Sequence, residues 1–325
     1  MKAVVCTQYG FTDTLKLKEV EKPIPKDNEV LIKVQTASVN SWDWDLVRGK
    51  PFIVRLGALK KPKYEILGAD IAGRVEAIGQ DVKQFLPGDE VFGDISGCGW
   101  GGFAEFVCAH ENALTKKPPN MTFEEAASIP QAGVLALQGL RDSGKIQEGQ
   151  KILINGAGGG VGSFALQIAK LYKTEVTGVD STTKLDTMRS FGADHVIDYT
   201  QEDFTQNGQH YDLILDVVGN RTIFEYKRLL CSNGTYVMVG GPFTRIFQLI
   251  LLSPLISLTG KKKMTLLIHK PNKKDIDTIK NLAENGKLVP VIDRCYPLSE
   301  VSEALGYLAE GHARGKIIIR IEDKS

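Results

Sequence analysis

The residues best placed to do chemistry run from Asn155 to Gly162, NGAGGGVG, with Asp180 eighteen positions past the last glycine. Gly156, Gly158, Gly159, Gly160 and Gly162 let the backbone turn tightly and approach a pyrophosphate. From Val161 onward a helix would present its free N–H groups and positive dipole end to that phosphate. A carboxylate at Asp180 can accept a hydrogen bond from a ribose 2′-hydroxyl. The chemistry these types and spacings offer is dinucleotide binding.

The flanking residues supply the elements that such a site needs. Lys151 to Asn155 is a short apolar run that reads as a strand, and Val161, Phe164, Ala165, Ile168 and Leu171 recur at helical spacing. Glu175 to Val179 reads as a second strand that delivers Asp180. Glycine clusters also make plain loops; here the strand, the helix and the acid at the next strand end agree.

The chain divides by pattern. Its first 120 or so residues are mostly strand-like, with Val30, Ile32 and Val34 alternating against Leu31, Lys33 and Gln35, and with glycines at 68, 73 and 79 where bulges of a small, bent barrel are expected. Ser41 is placed to cap a short helix ending at Arg48. From Thr122, which has capping-box spacing to Glu125, helices and strands alternate, with a helix at Ala132 to Leu140. Further strands at His195 to Tyr199, Leu213 to Val218 and Thr235 to Val239 predict a doubly wound parallel sheet. Gly219 and Gly240 then fall at the carboxyl ends of strands, where the ligand of such a sheet lies. The run from Ile246 to Leu258 is apolar but too short for a membrane span, which needs roughly 20 residues. It reads as a buried or subunit-facing helix pair broken at Ser253 and Pro254, with a lid over an apolar pocket or a membrane-surface face, suggested by Lys261, Lys262 and Lys263, as the alternatives.

Composition bounds the rest. At 325 residues, 42% hydrophobic and 24% charged, the chain has the make-up of an ordinary globular protein of about two domains. A net charge of +1 gives no global field toward nucleic acid. Five scattered cysteines and no N-terminal signal pattern lead us to expect a reducing, cytoplasmic setting. GLRDSGKI, Gly139 to Ile146, imitates a phosphate loop, but it places isoleucine where Ser or Thr must bind magnesium and precedes a strand instead of following one.

Taken in order, ASVNSWDWDLVRG (Ala37 to Gly49), LGADIAGRVEAIG, LPGDEVFG, GGFAEF, NGAGGGVG, FGADHVIDY and GHARGKIII resemble the medium-chain dehydrogenase/reductase superfamily, in its zinc-less quinone oxidoreductase branch. The resemblance implies a GroES-like β-rich domain over residues 1–121, completed by 263–325, and a Rossmann domain over 122–262. It implies hydride transfer from a reduced nicotinamide to a quinone or an α,β-unsaturated carbonyl, in a protein that is usually a homodimer. Zinc relatives carry Gly-His-Glu where this chain has Gly68, Ala69 and Asp70, a ligand cysteine near Asn40, and closely spaced structural cysteines, so no metal is expected. By the same match Asn40 and Asp43 stand beside the nicotinamide; for Asp43, general acid and helix cap are both open. Lys316 joins the cofactor set, and Leu135 stands where relatives often have threonine.

The choice of cofactor turns on residues 180 to 184. Asp180 argues for NADH, because a carboxylate repels a 2′-phosphate. Ser181 and Lys184 match the residues with which relatives read that phosphate, and Tyr199 is placed to pack on the adenosine. The expectation is NADPH, with Asp180 turned aside or paired to Lys184. Two further readings stay open: a zinc-independent alcohol or carbonyl dehydrogenase, and a non-catalytic nucleotide-binding protein.

Overall fold

The computed structural model describes residues 1–55, 58–259 and 261–321. The chain begins with β1 (Lys2–Cys6), β2 (Leu15–Glu19), β3 (Glu29–Val39), α1 (Ser41–Arg48), β4 (Asp70–Ile78), β5 (Glu90–Asp94), β6 (Phe106–His110), β7 (Leu114–Lys116) and α2 (Phe123–Ser128). Then follow α3 (Pro130–Leu137), β8 (Lys151–Asn155), α4 (Gly160–Leu171), β9 (Glu175–Asp180), α5 (Leu185–Ser190), β10 (His195–Asp198), β11 (Tyr211–Asp216), α6 (Ile223–Leu229), β12 (Leu230–Met238), α7 (Phe243–Thr259) and β13 (Lys263–Leu266). The chain closes with α8 (Lys273–Glu284), β14 (Ile292–Pro297), α9 (Val301–Ala309) and β15 (Lys316–Arg320). Residues 322–325, part of the tail expected to complete the first domain, lie outside the described residues.

Packing separates two units: residues 1–131 with 271–286 and the tail from 290, and residues 132–270 with 287–289. The first division follows α2, which lies on β3 and β4. Within the first unit β3 is the organising strand. It pairs with β4 along most of its length, while its other edge is shared between β6, against Glu29 to Lys33, and β15, against Thr36 to Val39. Alternation along so long a strand fills a core of Val30, Ile32, Val34, Ile71, Phe103 and Ile319. Gly73 sits where the β3–β4 register shifts; a Cβ there would stand 2.3 Å from the carbonyl of Lys33. Bulge and glycine are thus one requirement.

The second unit is a six-stranded parallel sheet in the order β10-β9-β8-β11-β12-β13. β8 and β11, near its middle, carry unbroken apolar runs, Ile152 to Ile154 and Leu213 to Leu215, as strands covered by helices on both faces do. α4 buries Phe164, Ala165 and Ile168 of the set that its sequence spacing marks, together with Leu166 and Ala169, whereas Leu171 at its end is exposed.

Several local expectations change. Asn40, not Ser41, precedes α1 in extended conformation, because the Asp43 carboxylate accepts the Asn40 backbone N–H and fixes it as the cap. The Ala132 to Leu140 helix starts two residues earlier and passes at Gln138 into a wider π-type turn that ends at Ser143, which absorbs the phosphate-loop imitation. The Ile246 to Leu258 segment is not broken in two: α7 runs through Pro254 as one helix, although proline there contributes no N–H. Thr122 and Glu125 do form the capping box of α2. Thr122→Ala removes the acceptor for the Glu125 N–H, so chemical denaturation should show a loss of about 1 kcal/mol.

Candidate active site

In the second unit the turn from β8 into α4 leaves no space for side chains on its inner side. Gly156 has φ +85°, and a Cβ at Gly162 would lie 2.0 Å from the Gly156 carbonyl oxygen. The helix therefore starts against the turn itself. The Ser163 N–H is bonded to the Gly159 carbonyl at 3.0 Å, while the first-turn N–H groups at Gly160, Val161 and Gly162 have no acceptor within the helix. On the outer side there is room: a Cβ at Gly159 would meet only the Gly156 oxygen, at 3.4 Å; after β12, two strands away, one at Gly240 would meet only the Val217 oxygen, at 3.8 Å. Free N–H groups beside an open, side-chain-free surface fit the pyrophosphate of a dinucleotide.

Asp180 is 5% exposed and faces back into this turn. One oxygen accepts the Gly158 N–H at 2.9 Å; the other accepts the Ser181 N–H at 2.9 Å and meets Lys184 Nζ at 3.1 Å. Lys184 is equally enclosed, its stem against Gly158, where a Cβ would come within 2.6 Å of the Lys184 Cβ. Tyr199, 47% exposed, donates its N–H to the Asp180 carbonyl. Ser181 and Lys184 thus meet the Asp180 carboxylate and Tyr199 its main-chain carbonyl, at the ends of β9 and β10.

A polar network absent from the sequence reading supports the neighbouring strand ends. Asp216, fully buried at the end of β11, accepts from Asn155 Nδ2 at 2.9 Å, from the Tyr236 hydroxyl at 2.7 Å, and from the N–H groups of Val218 and Gly219. Tyr226 packs on Tyr236 with the rings tilted by 30° and their centroids 4.7 Å apart, and burial beside Asp216 pushes both phenol pKa values well up. The network shapes the turn at Gly219, where a Cβ would meet Gly241 Cα at 2.9 Å. The sequence signal was an acid closing an otherwise apolar strand.

The first unit holds a second buried cluster, around Asn40. The Asn40 side chain is clamped at both ends: its carbonyl accepts from Lys316 Nζ at 2.5 Å, and its amide donates to Asp70 at 3.1 Å. Asp70 is fully buried, also accepting from Ser38 and from the Gln131 N–H, and lies 3.7 Å from Lys316 Nζ. Asp43 is fully buried too, one oxygen on the Asn40 N–H at 2.8 Å and the other on the Gly68 N–H at 3.0 Å. Burial drives its pKa up to about 7 against the opposing effect of those two N–H groups, and it raises that of Asp70 against the pull of Lys316. The Lys316 ammonium is pushed down by the same burial and supported by Asp70 and Asp43. Asp43 fastens α1 to the segment that leads into β4, and Lys316, expected in the cofactor set, is bonded to Asn40. Among the described residues no group of three or more His, Cys, Asp or Glu side chains is placed to hold a metal ion.

Comparison with known proteins agrees with this architecture. A family model described as "Alcohol dehydrogenase GroES-like domain" matches residues 26–119, and one described as "Zinc-binding dehydrogenase" matches residues 191–319. The chain is 35% identical to the chloroplastic quinone-oxidoreductase QR1 of Triphysaria versicolor, with 98% of each chain covered. It is 32% identical to the chloroplastic NADPH-dependent alkenal/one oxidoreductase of Arabidopsis thaliana, over 98% of this chain and 79% of that one. The solved quinone oxidoreductase from Coxiella burnetii superimposes with a TM-score of 0.90 at 30% identity over 99% of both chains. The chain therefore belongs to the medium-chain dehydrogenase/reductase superfamily. Within it, the protein is an NAD(P)H oxidoreductase.

Two predictions follow from the geometry. Gly162→Ala should weaken nucleotide binding in a fluorescence titration by about tenfold or more, because its methyl must displace the Gly156 carbonyl. The second concerns Asp43. Its folded pKa lies above the unfolded value, so its contribution to stability is complete below about pH 4 and fades as pH rises toward 7. Asp43→Asn should therefore flatten the fall in urea midpoint across that window, while Asp70, shifted in the same direction, keeps part of the slope.

Proposed function

We propose that this enzyme carries hydride from NADPH to a hydrophobic quinone or an α,β-unsaturated carbonyl without a metal ion. The observation that carries this reading is the clamp on Asn40. Where zinc dehydrogenases bring thiolate and imidazole, this chain has an amide held between an ammonium and a carboxylate. No Lewis acid is then supplied to polarise a simple carbonyl or an alcohol oxygen. Quinones and enones take hydride without one, because they delocalise the incoming charge within the acceptor. Their reduction needs positioning and exclusion of water more than electrophilic help.

When bound, the reduced nicotinamide supplies the hydride. The first turn of α4 would hold the pyrophosphate; in the other unit Asp43 keeps Asn40, with its fixed amide, at the head of α1. Preference for NADPH is supported by the pairing of Asp180 with Lys184, which neutralises the one carboxylate that would repel a 2′-phosphate. Ser181 and Tyr199 complete the adenosine end. The names of the relatives, a quinone oxidoreductase and an NADPH-dependent alkenal/one oxidoreductase, point to the same acceptor classes.

The test follows nicotinamide absorbance on metal-chelated protein with a small quinone, an enone and a ketone. Turnover of quinone or enone should survive chelation; turnover of ketone alone, or activity that chelation abolishes and zinc restores, overturns the reading. Lys184→Ala should lower kcat/KM for NADPH by roughly tenfold relative to NADH, because the Asp180 carboxylate, left without its cation, then repels a 2′-phosphate.

A further inference from the structure

The second unit carries an apolar face that neither the nucleotide turn nor the strand-end network uses. Phe243, Phe247, Ile250, Leu251 and Leu255 of α7 are each between 52% and 61% exposed. At 100° per residue these five occupy an arc of about 140° on one side of the helix, whereas the buried Leu249 and Ile256 lie on the other. The arc extends about 18 Å along the axis at 1.5 Å per residue. On α6, which packs against α7, Phe224 is also exposed, as is Arg228 one turn further on. A helix apolar on both sides normally belongs inside a protein or a membrane, and no helix among the described residues is long and apolar enough to cross one.

Charge indicates what covers this face. From Tyr226 to Lys270 there are seven Lys and Arg and no Asp or Glu, in a chain whose overall charge is +1. Three of them, Lys261, Lys262 and Lys263, follow α7 directly, and Lys261 and Lys263 are exposed. A second copy docking by two-fold symmetry through the same face would set this basic stretch against itself, with no carboxylate in it to pair. An anionic lipid surface meets both demands: acyl chains take the apolar arc, and lipid headgroups take the lysines.

We infer that α7 is a peripheral docking face for anionic membranes, lying in the headgroup plane with Phe247 and Leu251 turned into the lipid. The inference is independent of the reaction proposed above. It also gives the enzyme access to acceptors that dissolve in lipid.

The full chain is floated with vesicles of phosphatidylcholine alone and of phosphatidylcholine mixed with phosphatidylglycerol, at low and high salt. Flotation is expected with the anionic vesicles only, weakened about tenfold or more by high salt. The pairs Phe247→Ser/Leu251→Ser and Lys261→Glu/Lys263→Glu should each cut binding by about tenfold or more while nucleotide binding and circular dichroism are retained. Failure of the wild-type chain to float, or unchanged flotation of a folded variant, overturns the inference. So does absence of flotation with a wild-type dimer that the serine pair converts to monomer in sedimentation, which would assign the face to a second copy. Should the serine pair fail to fold, the glutamate pair at exposed positions decides alone.

Discussion

The structure of the nucleotide half depends on one close approach, that of α4 to the turn that launches it. With only 2.0 Å between the Gly156 oxygen and any Cβ at Gly162, helix and turn are in backbone contact. That contact aims the first-turn N–H groups out past the end of β8. Everything near it is arranged around a bare backbone: Asp180 reaches back to the Gly158 N–H, and Lys184 lays its stem along Gly158. A side chain at Gly162 would collide with the Gly156 carbonyl and one at Gly158 with the Lys184 stem, so either would shift the backbone that a phosphate requires.

The same device recurs at other strand ends. Asp94, Asp180, Asp198 and Asp216 each close a strand and accept a backbone N–H from the residues just after it. A carboxylate there costs desolvation but removes unpaired donors from a sharp turn. Around Asn40 the balance is finer, because Asp43 and Asp70 are both fully enclosed and one ammonium, Lys316, is shared in their field. The cluster positions a single amide by surrounding it with partners that have nowhere else to go.

Much of this was legible in the sequence, and what was not has a common cause. The strand, glycine turn, helix and terminal acid of the nucleotide half are local patterns, readable by period and spacing, and so was the Thr122 capping box. Asp70, Asp216 and Tyr236 act across strands that are far apart in the chain, and no local period records which of them meet. Asn40 rather than Ser41 heads α1 because the deciding partner, Asp43, lies inside the helix. Pro254 was read as a break from its own chemistry, yet α7 is held on its other side by Leu249 and Ile256 in the core, and tertiary packing prevailed over the local signal.

The long strand β3 also governs the order in which the protein can be made. Its second half pairs with β15, so that Val39 waits for Ile317, and every residue between them must leave the ribosome before that edge is covered. In the interval the nucleotide unit, whose strands pair among themselves, has its full sequence available and can fold. Translation thus exposes a half-finished first unit for as long as those residues take to be made, with an unpaired strand edge open to wrong partners. The closing tail is in this sense the safety catch of biosynthesis.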